Sequence, residues 1–199
     1  MKKNIDPLIR AEAFSIYYQK DIGAQKIAYY RVRNTEFLTQ WEPKRSPDYY
    51  LPEEIDSRIR SGFFNAGAEN AHRLGITCNA TGDLIGVINF TNITPYPFLA
   101  CNLGFSIDEI YQGRGYIKSA LTALLPVAFN SFGLNRIMAN FMPKNFRSAR
   151  LLHGLGFEIE GYAKRYLNIN GIWEDHILTS LLASRMKVSE DAVTDGRAP

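Results

Sequence analysis

The chain has 199 residues, a length that predicts one domain with room for a short unfolded end. With 46% hydrophobic and 22% charged residues, its composition is that of an ordinary globular protein and excludes collagen-like, low-complexity and acidic disordered classes. The net charge of +3 gives no reason to expect a polyanion or a membrane surface as partner, but it is unevenly spread: Arg114 to Arg150 holds no Asp or Glu, and its six cations leave the remainder at −3.

A strand over Phe14–Tyr18 comes first, and Asp21 is the expected N-cap of a helix running through Ile22, Lys26, Tyr29, Tyr30 and Arg33. A shorter helical piece covers Glu36 to Trp41. Pro43, Pro47 and Pro52 make the following segment irregular. Pro52-Glu53-Glu54 then opens a helix, with proline in the first turn and acids at the positive end of the dipole, that fades by about Gly67. From His72 the periodicity changes, and Leu74 to Thr77 pairs with Leu84 to Asn89 as a hairpin around the turn at Asn79–Asp83. A further strand, Cys101 to Ile107, ends at Asp108-Glu109. Gln112-Gly113-Arg114-Gly115 joins it to a helix from Tyr116 to Phe132 that Pro126 should kink.

Gly133 and Asn135 stop that helix, Arg136 to Met142 reads as a strand, and Asn145 to Leu155 as a helix ended by Gly156. Phe157 to Ile169 and Ile172 to Leu182 are two strands around Asn170-Gly171, a strong hairpin signal. Neither an internal repeat nor an interior linker interrupts this order. The expectation is one α+β domain over residues 1–186, with a polar, disordered tail at 187–199.

Cys78 and Cys101 cannot build a disulfide framework, and neither lies in a CxxC or a Cys/His run that would point to a metal. Both read as small buried residues in a reducing compartment. Met1-Lys2-Lys3 is like the start of a signal peptide, but Asp6, Pro7, Arg10 and Glu12 break up any apolar stretch behind it. The longest apolar run, Ala120 to Phe129, is well short of the ~20 residues that span a bilayer. A cytoplasmic location is expected, with no membrane or direct nucleic-acid partner, as a monomer or a homodimer.

The most informative local feature is strand, then Gln112-Gly113-Arg114-Gly115-Tyr116-Ile117, then helix. Glycines there let the backbone turn with its N–H groups outward, and the helix N-terminus adds a positive dipole end, which suits a pyrophosphate. By itself this is equally a plain strand-to-helix turn. The absence of Gly-Lys-Ser/Thr and the spacing disfavour nucleotide hydrolysis and a dinucleotide fingerprint. That turn opens the acid-free segment, and Asn145-Phe146-Arg147-Ser148-Ala149-Arg150-Leu151-Leu152-His153-Gly154-Leu155-Gly156-Phe157 closes it.

These two motifs in this order resemble the GNAT acyltransferase superfamily, and the likeness covers roughly Phe14 to Leu182. Within it the chain looks most like the ribosomal-protein-alanine N-acetyltransferases of the RimJ/RimL type, with the RimJ branch nearest. The features are Phe37-Leu38 with Trp41-Glu42-Pro43, Ile85 to Phe90, Arg136 to Asn140, Leu155 to Lys164 and Asn170 to His176. The resemblance implies a central mixed, mostly antiparallel sheet of about seven strands flanked by helices, acetyl-CoA as co-substrate without a metal, and a protein N-terminus as acceptor.

 That acceptor is expected to be a ribosomal protein beginning with alanine or serine.

Carried over residue by residue, the resemblance puts Gln112, Gly113, Arg114, Gly115 and Tyr116 in the phosphate loop, with Ile117 where the superfamily usually has Gly or Ala. Because that loop binds through backbone N–H groups, Ile117 is compatible with binding. Phe105 and Ile107 fall on the strand end whose backbone meets pantetheine, and Asn145 on an asparagine that faces the same cofactor arm. Asn140 stands where many members have a glutamate base and Leu152 where many have a tyrosine acid. Ser148 matches a serine thought to replace that tyrosine in the RimL branch.

The implied reaction is direct attack of an α-amine on the thioester, with Ser148 or a water protonating the thiolate. An α-amine of pKa 7.7–8.0 is roughly 10% neutral at pH 7, against about 0.04% for a lysine, so a site without a strong base suits an N-terminus. Glu42, Asp108 and Glu109 are the candidates for relaying the proton, with Glu42 favoured. Each has a plainer reading: Ser148 as a helix-turn hydroxyl bonded to backbone, Glu42 as a capping or surface acid, Trp41 and Trp173 as packing residues. His153 is expected on the exposed side of its helix and His176 beside a strand neighbour. Asp175 is either a buried structural acid or part of the amine pocket. A small amine such as a polyamine or aminoglycoside is the alternative acceptor, and a catalytically degenerate CoA-binding module the alternative class.

Overall fold

The computed structural model describes residues 5–185, so the expected tail at 187–199 lies outside the described residues. The elements in chain order are β1 (Ile9–Arg10), β2 (Phe14–Tyr18), α1 (Gln19–Ile22), α2 (Ala24–Arg33), α3 (Thr35–Thr39) and α4 (Pro52–Arg60). There follow β3 (His72–Cys78), β4 (Leu84–Thr94), β5 (Ala100–Ile107), α5 (Tyr116–Ser131), β6 (Arg136–Met138), α6 (Phe146–Gly154), β7 (Glu158–Ile169) and β8 (Ile172–Leu182). The strands form one sheet in the order β1-β2-β3-β4-β5-β6-β8-β7, antiparallel throughout except between β5 and β6. The α+β class and the mixed, mostly antiparallel sheet are as the sequence led us to expect. The eighth strand is β1, two residues long and too short to show a period.

Local differences have local causes. Asp21 caps no helix; Gly23, at φ +95°, separates α1 from α2, and Asp21 pairs with Lys20 at 2.7 Å. Helix α4 ends at Arg60, before the expected Gly67. The strand expected over Arg136 to Met142 stops at Met138, beyond which Ala139 and Phe141 donate to Thr179 and Ile177 of β8.

Two cores lie on opposite faces of the sheet. On one, α5 lays Ala120, Leu121, Leu124, Leu125, Ala128 and Phe129 in a single stripe against Leu74, Ile76, Ile88, Phe90, Cys101 and Leu103. On the other, Ile27, Ala28 and Tyr30 of α2 pack with Leu38, Ile55, Leu84 and Val87. Among the described residues no helix is long and apolar enough to cross a membrane.

Candidate active site

Strands β5 and β6 run together for three pairs, Ala100–Arg136, Cys101–Ile137 and Asn102–Met138, and then part. Past that point β5 is bonded to β4 alone, and the chain after β6 follows β8. Asp108 donates its N–H to Ile85 O at 2.8 Å, and the alternation of an antiparallel ladder therefore turns the backbone groups of Phe105 and Ile107 away from β4, into the gap. A cavity of about 1000 Å³ passes through this gap, lined on one side by α5 and α6 and on the other by Phe37, Leu38, Trp41 and Glu42.

Two helix N-termini meet the first side. Gly113 and Gly115 adopt φ of +72° and +79°, and a Cβ on either would meet nothing within 4 Å, so the turn is open toward the cavity. Ser119 makes the first helical bond of α5, to Gly115 O at 2.9 Å, which leaves the N–H groups of Tyr116, Ile117 and Lys118 without helical acceptors. The Ile117 side chain packs on the core, and Tyr116 meets Phe14 and Tyr111 edge to face at 6.2 and 5.8 Å. Asn145 caps α6 by accepting from Ser148 N at 3.1 Å. Ser148 lines the cavity, and its hydroxyl makes no hydrogen bond among the described residues.

Arg147 donates to Gln112 Oε1, joining α6 to the glycine turn across the cavity mouth. Arg114 is exposed, its guanidinium 5.4 Å from the Tyr111 ring centroid. Lys118, Lys144, Arg147 and Arg150 line the cavity, whereas Arg136 is held elsewhere by Glu160 and Ser180 at 2.5 and 2.8 Å. The positive segment is therefore only partly gathered at the site.

On the opposite side, Glu42 accepts from Arg31 at 2.8 and 3.1 Å and from the Tyr50 hydroxyl at 3.4 Å. Its backbone carbonyl takes the N–H of Asn170, in the β7–β8 turn, at 3.1 Å. Beside it, Tyr30 is fully buried, its hydroxyl 2.9 Å from Ser106 Oγ, and burial pushes its pKa up to about 12. Ser106 lines the cavity, so this pair brings a protonated phenol behind the cavity wall. The Tyr30–Ser106 and Arg31–Glu42 contacts link residues with no shared local motif, and the sequence offered no signal for either.

Other expected residues lie apart from this wall. Asp108 is buried by Arg33 and by Asn34 Nδ2 at 3.0 Å, and it accepts from Ile110 N at 3.1 Å, so it is structural rather than a proton relay. Glu109 is exposed and is not among the cavity residues. Asn140 is also outside the lining: its Oδ1 accepts from Thr179 N and its Nδ2 donates to Tyr166 Oη, both at 3.1 Å. Leu152 is in the core. Trp41 lines the cavity, but Trp173 is 52% exposed, contrary to the packing expected of it. Asp175 is bonded to Tyr162 Oη and Arg165 N at 2.6 and 2.7 Å, which hold its carboxyl below the usual range. His153 is exposed, and His176 is buried with Nδ1 3.1 Å from Glu174 O.

A split parallel pair with an open glycine turn at its mouth defines a class. Residues 23–158 match the model of the acetyltransferase (GNAT) domain, and the chain belongs to that family of acetyl-CoA-dependent transferases. It is 42% identical over 163 residues to the ribosomal protein uS5-alanine N-acetyltransferase of Escherichia coli (strain K12), covering 81% of this chain and 83% of that one. The crystal structure of ribosomal-protein-S5-alanine acetyltransferase from Vibrio fischeri superposes with a TM-score of 0.84 at 37% identity, over 90% of this chain and 98% of that one. Mycobacterium smegmatis RimJ in complex with CoA-disulfide shares the fold, with a TM-score of 0.79 at 24% identity over 88% of this chain and 84% of that one.

Proposed function

We propose that this enzyme acetylates the N-terminal α-amine of a protein, a ribosomal protein beginning with alanine or serine, in the cytoplasm. The supporting observation is the make-up of the acceptor wall: Glu42 is the only carboxylate among the described residues of the cavity, and it is already paired with Arg31. Such a wall lacks a free strong base and suits an amine that is partly neutral at physiological pH. The Escherichia coli and Vibrio fischeri relatives named above are acetyltransferases of ribosomal-protein alanine, which favours the same acceptor.

The open site fits the co-substrate. Backbone groups of Phe105 and Ile107 would hold the pantetheine arm, and the amides from Gly113 to Lys118, with Lys118, Arg147 and Arg150, the pyrophosphate. Gln112 and Arg114 frame that turn, and Asn145 has its Nδ2 left over from capping. Acetyl-CoA supplies the thioester that makes the acetyl group transferable. The neutral fraction of the amine would attack the thioester carbonyl, and a water at Glu42, whose charge Arg31 already offsets, would carry off the proton the amine loses. Ser148 Oγ, free of other partners, holds the proton that the departing sulfur needs. Asn140 acts at one remove, tying the parted chain to β8.

A polyamine acceptor would call for several unpaired carboxylates, and the wall has none among the described residues. The test is incubation with acetyl-CoA and a peptide beginning with Ala or Ser, beside the same peptide with a blocked N-terminus and an internal lysine. We expect acetyl on the free α-amine, read by tandem mass spectrometry; acetylation of lysine alone would refute the reading.

A further inference from the structure

A second cavity of about 320 Å³ lies beyond the acceptor wall and shares Leu38 and Glu42 with the first. Its wall includes the loop Pro43–Pro47 and Asn170 of the last hairpin, which the Asn170 N–H to Glu42 O bond fixes to each other. The charge on its wall is one-sided. Glu42 is its only carboxylate among the described residues, and Arg31 neutralises that group. Neither Lys44 nor Arg45 makes an ion pair among the described residues, and the Arg45 guanidinium carbon lies 4.8 Å from the centroid of the Tyr49 ring.

We propose that this second cavity receives the polypeptide behind the acceptor's N-terminal residue and selects an acidic side chain at its third or fourth position. The inference rests on the α-amine reading and adds to it a sequence preference. With the amine beside Glu42, which like Leu38 lines both cavities, the chain behind it would run along the wall of the second. Lys44 and Arg45 follow Glu42 by two and three residues and can stand at most about 7 and 11 Å from it along the chain. An extended peptide advances about 3.3 Å per residue, which brings its third and fourth residues level with those cations. Both cations are solvent-facing, so they discriminate by attraction to an acid and repulsion of a base, without the cost of burying either.

The experiment compares octapeptides that share an N-terminal alanine and carry Glu, Ala or Lys at positions three and four. They are acetylated by the wild-type enzyme and by the double variants Lys44→Gln/Arg45→Gln and Lys44→Glu/Arg45→Glu. In the wild type the Glu peptide should exceed the Lys peptide in kcat/KM by about tenfold at low salt, chiefly through KM, and the gap should narrow as salt is added. The neutral variant should level the series and the acidic variant invert it. Acetylation of all three peptides at one rate by the wild type, or an unchanged ranking in the acidic variant, overturns the inference while leaving the α-amine reading intact. If no peptide is acetylated on its α-amine, both fall.

Discussion

Two glycines bracket α5 with nearly the same backbone and different surroundings. Gly115, at φ +79°, precedes the helix at the cavity, and Gly133, at φ +65°, follows it outside the cavity. A Cβ on either would meet nothing within 4 Å, so replacement by alanine brings backbone strain without a clash. Left-handed backbone costs an alanine roughly 1–2 kcal/mol, equivalent to a fall in Tm of about 2–8 °C in a protein of this size. Both variants should melt lower by that amount. Gly115 lines the cavity and Gly133 does not, so only at Gly115 can the added methyl meet a bound cofactor, and there the Kd for CoA should rise at least tenfold, or about 1.4 kcal/mol. Gly133→Ala should bind CoA within about twofold of wild type. Thermal melts beside calorimetric CoA titrations separate the two effects. Equal losses of affinity, or undiminished affinity in Gly115→Ala, would refute the assignment of that turn to the cofactor.

Ser148→Ala should lower kcat by about 100-fold with the KM for acetyl-CoA little changed; parallel losses would make Ser148 a cofactor-holding residue instead. Asp108→Ala leaves Arg33, Asn34 and the Ile110 N–H without their acceptor and should cost about 3–5 kcal/mol in urea unfolding. A loss under about 1 kcal/mol would show that the cluster contributes little. His72 lies on the Phe132 ring at 3.7 Å, and burial lowers its pKa. The unfolded chain then takes up a proton below about pH 6.5 that the folded protein resists, so stability should fall from there down to the folded pKa. Melting at pH 7.5 and 5.5 should show this slope, reduced in His72→Gln; an equal slope in both proteins would refute it.

The elements that could be read from sequence were those written in local chemistry. Asn170-Gly171 marked the last hairpin, Pro52-Glu53-Glu54 the start of α4, and the glycine turn the mouth of the cavity. Glu42 emerged from resemblance, but its partner Arg31 lies on another helix, and only packing brings them together. From sequence Asp108 is a candidate for relaying the proton through water, alongside Glu42 and Glu109. Its partners Arg33 and Asn34 stand some seventy residues away, and they turn it into an anchor between α2 and β5. Asn140 shows the same limit, since its position suggested chemistry and its two amide bonds serve β8 and Tyr166. The second cavity depends on a hairpin turn touching a proline-rich loop, a meeting that no periodicity encodes.

The parted strands have a consequence for the lifetime of the protein. A strand side that lacks a neighbour in mid-sheet is a weak place, where amide hydrogens exchange and proteases find purchase. Phe105 and Ile107 stand on that side. A molecule that fills the gap binds the folded chain and not the unfolded one, and at a hundred times its Kd it adds about 2.7 kcal/mol of stability. The filled and the empty enzyme should therefore differ most in protection from exchange and proteolysis along Phe105 to Ile107, so the cofactor stands in that stretch for the strand the sheet lacks.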